Sequence, residues 1–360
     1  MTGILEEELY DLVSIYSPTG REGQASIWFR ELLRNHGFSR VSLDAAGSAH
    51  GAIPGQGLKV TLCGHIDTVP GKLPVNVENG EVTGRGSVDA KSSLISLLHG
   101  GLMAKERGFQ GTINMIAAVG EEGTGKGIQE VAMHHEKGDY AVLGEPSGTS
   151  SITVGYRGRL LVEANYMTDP VHASAPWMGQ NAIESAIGDW SALKSFYGVN
   201  SEFSKVSVAL TELKGGSSHN VNPSKSRMLI DVRFPPSVKG ETLMQEIRGV
   251  LSMNGDPLFR REIKLKGHTE PYVSNIKTDL VRAFKNSITR NTGKSPGLVF
   301  KSGSGDMSYL ASSWKIPCIT YGPGNTQLSH TNRERISIAE VKESAIIIAD
   351  ALIGLEEKQE

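Results

Sequence analysis

Cysteine is nearly missing: Cys63 and Cys318 are the only two in 360 residues. Each lies inside an apolar, strand-like run, so both are expected to be buried and reduced, and a disulfide framework is excluded. Charge of one sign is equally scarce. A formal net charge of -2 builds no field that gathers nucleic acid or acidic lipid, and no basic run interleaves with aromatics. No apolar stretch approaches the roughly 20 residues of a membrane-crossing helix. The opening Met1-Thr-Gly-Ile-Leu-Glu-Glu-Glu-Leu9 reads as an acidic amphipathic helix without the basic start of a signal peptide. These absences point to a cytoplasmic protein with no membrane and no nucleic-acid partner.

What is present suits an α/β protein long enough for two cores, with 38% hydrophobic residues, 42 glycines and 15 prolines. Apolar periodicity predicts helices over 3–16 and 23–36, then strands over 58–63, 112–119 and 140–143 alternating with helices over 92–107 and 128–136. Such βα alternation predicts a mostly parallel sheet with both faces covered. From about Arg159 the rhythm becomes βαββαβ, the ferredoxin-like split unit, ending near Lys266. The α/β pattern then resumes through a final helix over 338–355. The simplest organisation is a discontinuous catalytic domain, 1–157 with 269–360, interrupted by an inserted α+β domain over 158–268.

Chemistry-bearing side chains gather at the predicted strand ends. Lys59-Val-Thr-Leu-Cys-Gly-His-Ile-Asp67 ends a buried strand on an imidazole, His65, and a carboxylate, Asp67, two residues apart. A histidine that ligates a metal through one nitrogen needs an acceptor for the other, and a nearby carboxylate fixes its tautomer. Asp89 sits in Gly84-Arg-Gly-Ser-Val-Asp89, a loop before a helix. The adjacent acids Glu121 and Glu122 follow another strand and repel unless a cation or proton compensates. Glu145 follows Tyr140-Ala-Val-Leu143, and His330 lies just past a Gly-rich loop. Open α/β sheets build their sites beyond the carboxyl ends of strands. Two histidines with three or four carboxylates form a ligand set for two divalent metals, zinc first, with cobalt or manganese as substitutes.

In that order, the motifs His-x-Asp-Thr-Val-Pro-Gly, Gly-Arg-Gly-x-x-Asp, Gly-Glu-Glu-Gly, Gly-Glu-Pro and a late His-Thr resemble the dinuclear-zinc amidohydrolases. That family holds aminoacylase, acetylornithine deacetylase, succinyl-diaminopimelate desuccinylase and related carboxypeptidases, and the resemblance covers essentially the whole chain. Gly-Glu-Pro-Ser-Gly148 and Gly155-Tyr-Arg-Gly-Arg159 are most similar to its lysine and ornithine hydrolases. Those act in lysine or arginine synthesis on amino acids blocked by an amino-group carrier protein or an acetyl group.

The resemblance implies that Asp89 bridges two metals, with His65 and Glu145 completing one site and Glu122 and His330 the other. Asp67 would orient His65, and Glu121 would be the general base, near the metals but unbound. In the inserted lid and dimerisation domain, His172 would reach across a homodimer to steady the oxyanion. Asn220 and Arg233 would bind substrate, and the glycine loops carrying Ser304 and Gly322 would line the pocket. Read without the family, Arg233 is an ordinary strand ion-pair residue. The chain departs from the family at Ser92, where a glycine is usual, and at Asp169-Pro-Val before His172.

Rival readings are weaker. Gly120-Glu-Glu-Gly-Thr-Gly-Lys126 has the glycines and lysine of a phosphate loop, but Gly127 replaces the Ser or Thr that would hold magnesium, and two carboxylates would repel phosphate. Adjacent His134 and His135 point about 100° apart on a helix and do not share a metal easily. His36, His50, His219 and His268 show no partner pattern, and His99 reads as a packed helical residue. Within the family, a dipeptidase or aminopeptidase and a desuccinylase are the alternatives. A non-catalytic, metal-stabilised binding protein is the alternative of another class.

Overall fold

The computed structural model describes residues 2–252 and 260–356. In chain order, helices α1 (Thr2–Ser14) and α2 (Gly23–Asn35) precede strands β1 (Ser39–Leu43), β2 (Ala49–Ile53) and β3 (Lys59–His65). Short strands β4 (Asn76–Glu78) and β5 (Glu81–Thr83) lead to α3 (Lys91–Glu106), β6 (Thr112–Ala118), α4 (Lys126–His134), β7 (Tyr140–Gly144) and β8 (Ser151–Tyr156). Next come β9 (Gly158–Met167), β10 (Val171–His172), α5 (Ala182–Tyr197), β11 (Ser207–Gly215), β12 (Val221–Asn222) and β13 (Lys225–Phe234). Then follow α6 (Gly240–Ser252), β14 (Arg260–Thr269), β15 (Tyr272–Val273), α7 (Asp279–Thr292) and β16 (Gly297–Lys301). Helix α8 (Asp306–Trp314), β17 (Cys318–Thr320), β18 (Arg335–Ser337) and α9 (Ile338–Glu356) complete the chain.

Two compact units divide these elements. The first comprises Met1–Val154, Ser274–Phe300 and Gly305–Glu360. Its sheet runs β1-β2-β6-β3-β7-β17-β8. The four central strands, β6, β3, β7 and β17, are parallel. Every residue of β3 except Lys59 is buried, as expected of a strand covered on both faces. The centre is parallel as expected, and antiparallel strands are added at its flanks. The reason lies in the connection: Asp44 Oδ1 accepts the Ala46 and Ser48 amides at 3.0 and 2.8 Å. That tight turn between β1 and β2 is too short for a parallel crossover.

Helix α3 lies close against this sheet and against α9 because glycines remove the obstructing atoms. A Cβ at Gly100 would stand 2.6 Å from Ile348 Cγ2 on α9, and one at Gly144 would stand 2.8 Å from Leu97 Cδ1. Parallel neighbours β6, β3 and β7 end on the same side of the sheet: β3 ends on His65, and the loops after β6 and β7 carry Glu121, Glu122 and Glu145.

The second unit comprises Gly155–Val273 and Lys301–Ser304. Its sheet runs β11-β13-β9-β14 and is antiparallel throughout. With α5 between β9 and β11, and α6 between β13 and β14, this is the order of a ferredoxin-like split unit. Alternation along β13 sends Met228, Ile230, Val232 and Phe234 into a core shared with Ala186 and Leu193 of α5 and Ile247 of α6. The Asn181 side chain caps α5 by accepting the Ile183 and Glu184 amides.

Candidate metal centre

His65 is fixed from behind by the chain that follows it. Its Nδ1 donates to the main-chain carbonyl of Asp67 at 3.0 Å, so the proton of the neutral ring sits there and Nε2 is the free ligand atom. That Nε2 faces Asp89 Oδ1 at 3.2 Å and Glu145 Oε1 at 3.5 Å. The Asp67 carboxylate stands 3.6 Å from the ring and is engaged elsewhere. It accepts the Glu121 and Glu122 amides at 3.0 and 3.1 Å and the Thr19 hydroxyl at 2.7 Å. The expected orientation of His65 by Asp67 thus runs through the carbonyl, while the carboxylate sets the two glutamates.

Asp89 is held by a residue that its sequence context hides. Glu334, buried, accepts the amides of Gly86, Val88 and Asp89 at 2.9, 3.1 and 3.1 Å through one oxygen. Its other oxygen pairs with Arg85 at 2.8 Å. Read in sequence, an acid in Thr331-Asn-Arg-Glu334 is a surface charge; only the long-range pairing distinguishes it. Two residues beyond Asp89, the buried Lys91 donates to the carbonyls of Leu12 and Ile15 at 3.0 and 2.6 Å, which satisfies the end of α1.

The two oxygens of Asp89 face different histidines. While Oδ1 meets His65, Oδ2 lies 3.3 Å from His330 Nε2, which also meets Glu122 Oε1 at 2.7 Å. His330 stands at φ 64°, a left-handed position rare for residues other than glycine. Two sets result: His65, Glu121 and Glu145, and Asp89, Glu122 and His330, each offering ligand atoms within 4.8 Å of one another. Gly322 adjoins the first set, where an added Cβ would fall 2.7 Å from the Glu145 carbonyl.

Acidic charge is concentrated here beyond what two imidazoles offset. Burial, and then the Glu145 carboxylate, push the Glu121 carboxyl well above the usual range. Burial also pushes Asp306, at the first turn of α8, up to about 8, with Glu145 and Asp67 adding to it and His65 opposing. Asp306 escaped the sequence reading because an acid opening a helix has an ordinary explanation in the helix dipole. Against the cost of its burial, hydrogen bonds to His330 and His65 hold Asp89 far below the usual range. His330 is pushed up to about 10 by its hydrogen bonds to Asp89 and Glu122. The carboxylates that raise His330 by holding its proton favour divalent cations for the same electrostatic reason. The donor set fits a pair of them.

The profile of peptidase family M20/M25/M40 matches residues 61–353. The chain belongs to that family. As an M20 member it is an amide-cleaving hydrolase. It is 33% identical over 359 residues to a Thermococcus kodakarensis protein provisionally named LysW-lysine/LysW-ornithine hydrolase, covering 98% of this chain and 93% of the relative. A Saccharolobus islandicus LysW-lysine/LysW-ornithine hydrolase is 31% identical over 337 residues, 93% of this chain and 91% of the relative. Among solved structures, a Staphylococcus aureus tripeptidase superposes with TM-score 0.84 at 21% identity, covering 99% of each chain. A dinuclear metal-binding M20 peptidase of Bacillus subtilis gives 0.72 at 16% identity, covering 99% of this chain and 98% of that one. Among the described residues no helix is long and apolar enough to cross a membrane.

The remaining candidates of this M20 chain lie in its second unit. His172 is exposed on β10, and its Nδ1 accepts the Ser174 amide at 3.1 Å. Nδ1 being an acceptor, the neutral ring carries its proton on Nε2 and presents a donor to solvent. Beside it, the Asn220 carbonyl accepts the Ala173 amide at 2.9 Å, so the structure brings His172 and Asn220 together. Arg233 is chelated by Asp231, the ordinary ion-pair role, and its Nη1 also donates to Ser304 Oγ at 3.2 Å. Asp231 simultaneously pairs with Arg159 at 2.7 Å. One carboxylate against two guanidiniums leaves a net positive charge there.

Proposed function

We propose that this M20 enzyme hydrolyses the amide bond blocking an amino group of lysine or ornithine, either linked to an amino-group carrier protein or N-acylated, and releases the free amino acid. The split facing of the Asp89 oxygens toward His65 and His330, with Glu121 alongside, carries the chemistry. The choice of substrate is supported by the two relatives named for LysW-lysine and LysW-ornithine; our reading is of a step in lysine or arginine synthesis in the cytoplasm.

His65 and Glu145 would hold one ion, Glu122 and His330 the other, and Asp89 would serve both. Zinc suits these nitrogen and oxygen donors, and cobalt or manganese can replace it. When bound, such a pair acidifies a water molecule and polarises the amide carbonyl. Glu121 then acts as general base: its burial beside Glu145 raises its proton affinity, so it accepts the water's proton and returns it to the leaving amine. The Nε2–H of His172 is suited to steady the developing oxyanion. Asn220 and Ser304 would bind the substrate. The surplus positive charge at Arg233 suits its carboxylate, and Gly322 keeps room beside Glu145. We assign the second unit as the lid and dimerisation domain of a homodimer in which His172 serves the neighbouring site.

The test is to load the purified enzyme with zinc or cobalt and follow free amino acid released from carrier-linked lysine, acetyl-lysine, acetyl-ornithine, succinyl-diaminopimelate and a dipeptide panel. Release of lysine or ornithine from a blocked side, with dipeptides inert, is the expected result. Turnover of dipeptides alone would overturn the substrate assignment.

A further inference from the structure

Outside the M20 centre, one other cluster among the described residues has the composition of a metal site. Glu8 lies midway along α1, His36 follows the last turn of α2, and His99 lies within α3. The carboxylate sits between the two rings, with Oε1 2.7 Å from His36 Nε2 and Oε2 2.7 Å from His99 Nε2. Ligand atoms of all three residues lie within 4.8 Å of one another. The rings stand edge to face at 5.7 Å between centroids, with the same nitrogen of each turned toward Glu8. Side-chain exposures of 12%, 20% and 5% for Glu8, His36 and His99 leave the cluster closed at the α3 side and reachable from the α2 side.

We propose that Glu8, His36 and His99 form a third metal site, separate from the M20 centre, that takes one zinc-like ion and joins α1 and α2 to α3. Two imidazoles and a carboxylate with one side open to water are a zinc donor set. The ion's role is structural. The three ligands come from three different helices, so an ion among them favours the folded chain over the unfolded one. A cation here displaces the Nε2 protons of both rings. The competing arrangement is metal-free, with both rings donating Nε2–H to Glu8.

The experiment counts metal in the full-length protein. After zinc loading and dialysis, the wild type should retain about three zinc ions per chain, and His36→Gln and Glu8→Gln about two, with amide hydrolysis within about twofold of wild type. Cobalt-loaded wild type should lose one component of its visible ligand-field absorption in His36→Gln. His36, at the end of α2, is the variant of choice if His99→Gln fails to fold. A wild type that retains only two ions, or a third ion that persists in His36→Gln, would overturn the proposal and leave the cluster as a hydrogen-bonded clasp.

Discussion

In the proposed mechanism Glu121, buried beside Glu145, is the proton carrier, and its neighbour Glu122, turned to His330, is a metal ligand. The division is testable at one atom. Glu121→Gln keeps the shape and removes the base, so kcat should fall by about 10²–10⁴-fold with metal content by mass spectrometry unchanged; loss of metal along with activity would show the role to be wrong. Glu334 touches no ligand atom, yet it grips three loop amides, those of Gly86, Val88 and Asp89. Glu334→Gln replaces an anion by a weaker acceptor and strips Arg85 of its partner. Metal affinity measured by calorimetric titration should weaken by about 10–100-fold, as for other groups that orient metal ligands.

Among the elements, α1 is finished by a residue from another helix. Lys91, buried and pushed down to about 7 by that burial, donates to two carbonyls at the α1 end. Lys91→Met takes the ammonium from the Ile15 carbonyl and leaves Leu12 only the Ile15 amide, and chemical denaturation should show a loss of about 1–3 kcal/mol; an unchanged midpoint would mean that water replaces the ammonium. The central strands and most helices were legible because continuous or periodic apolar runs announce them. The β1–β2 hairpin was not. Arg40 at φ 52° interrupts β1, and Ala49-His-Gly-Ala-Ile53 is too short and too poor in branched residues to stand out. β2 folds as it does through pairing with β6, and β1 through pairing with β2, which no local pattern reports. The centre was legible through residues that end strands. Glu334 and Asp306 were not, because each has a bland local reading and acquires its role only from atoms far along the chain.

Across the molecule, protonation and metal compete. In the metal-free protein His330 titrates near 10 against an ordinary 6.5, so its contribution to stability is full below pH 6.5 and disappears as pH climbs toward 10. Asp306, raised from 3.8 to about 8, keeps in the folded state a proton that the unfolded chain has released, and this too lowers stability between those values. Both effects run downward from pH 6.5 to 8. Melting temperatures of the metal-stripped enzyme should fall across that interval, and less steeply in Asp306→Asn. Zinc affinity should rise over the same interval, because the proton that a metal must displace from His330 costs less to release as pH rises, widening the gap between stripped and loaded enzyme; a gap that narrows would contradict this linkage.

Asp67 adds a constraint of its own. A single side chain suspends the amides of both glutamates, while the peptide group of the same residue steers the imidazole. Replacing it with alanine takes away the first hold and keeps the second, so metal counting should show the ion expected at Glu122 and His330 departing before the one expected at His65. Equal retention of both ions would mean that the suspended amides hold their place without the carboxylate.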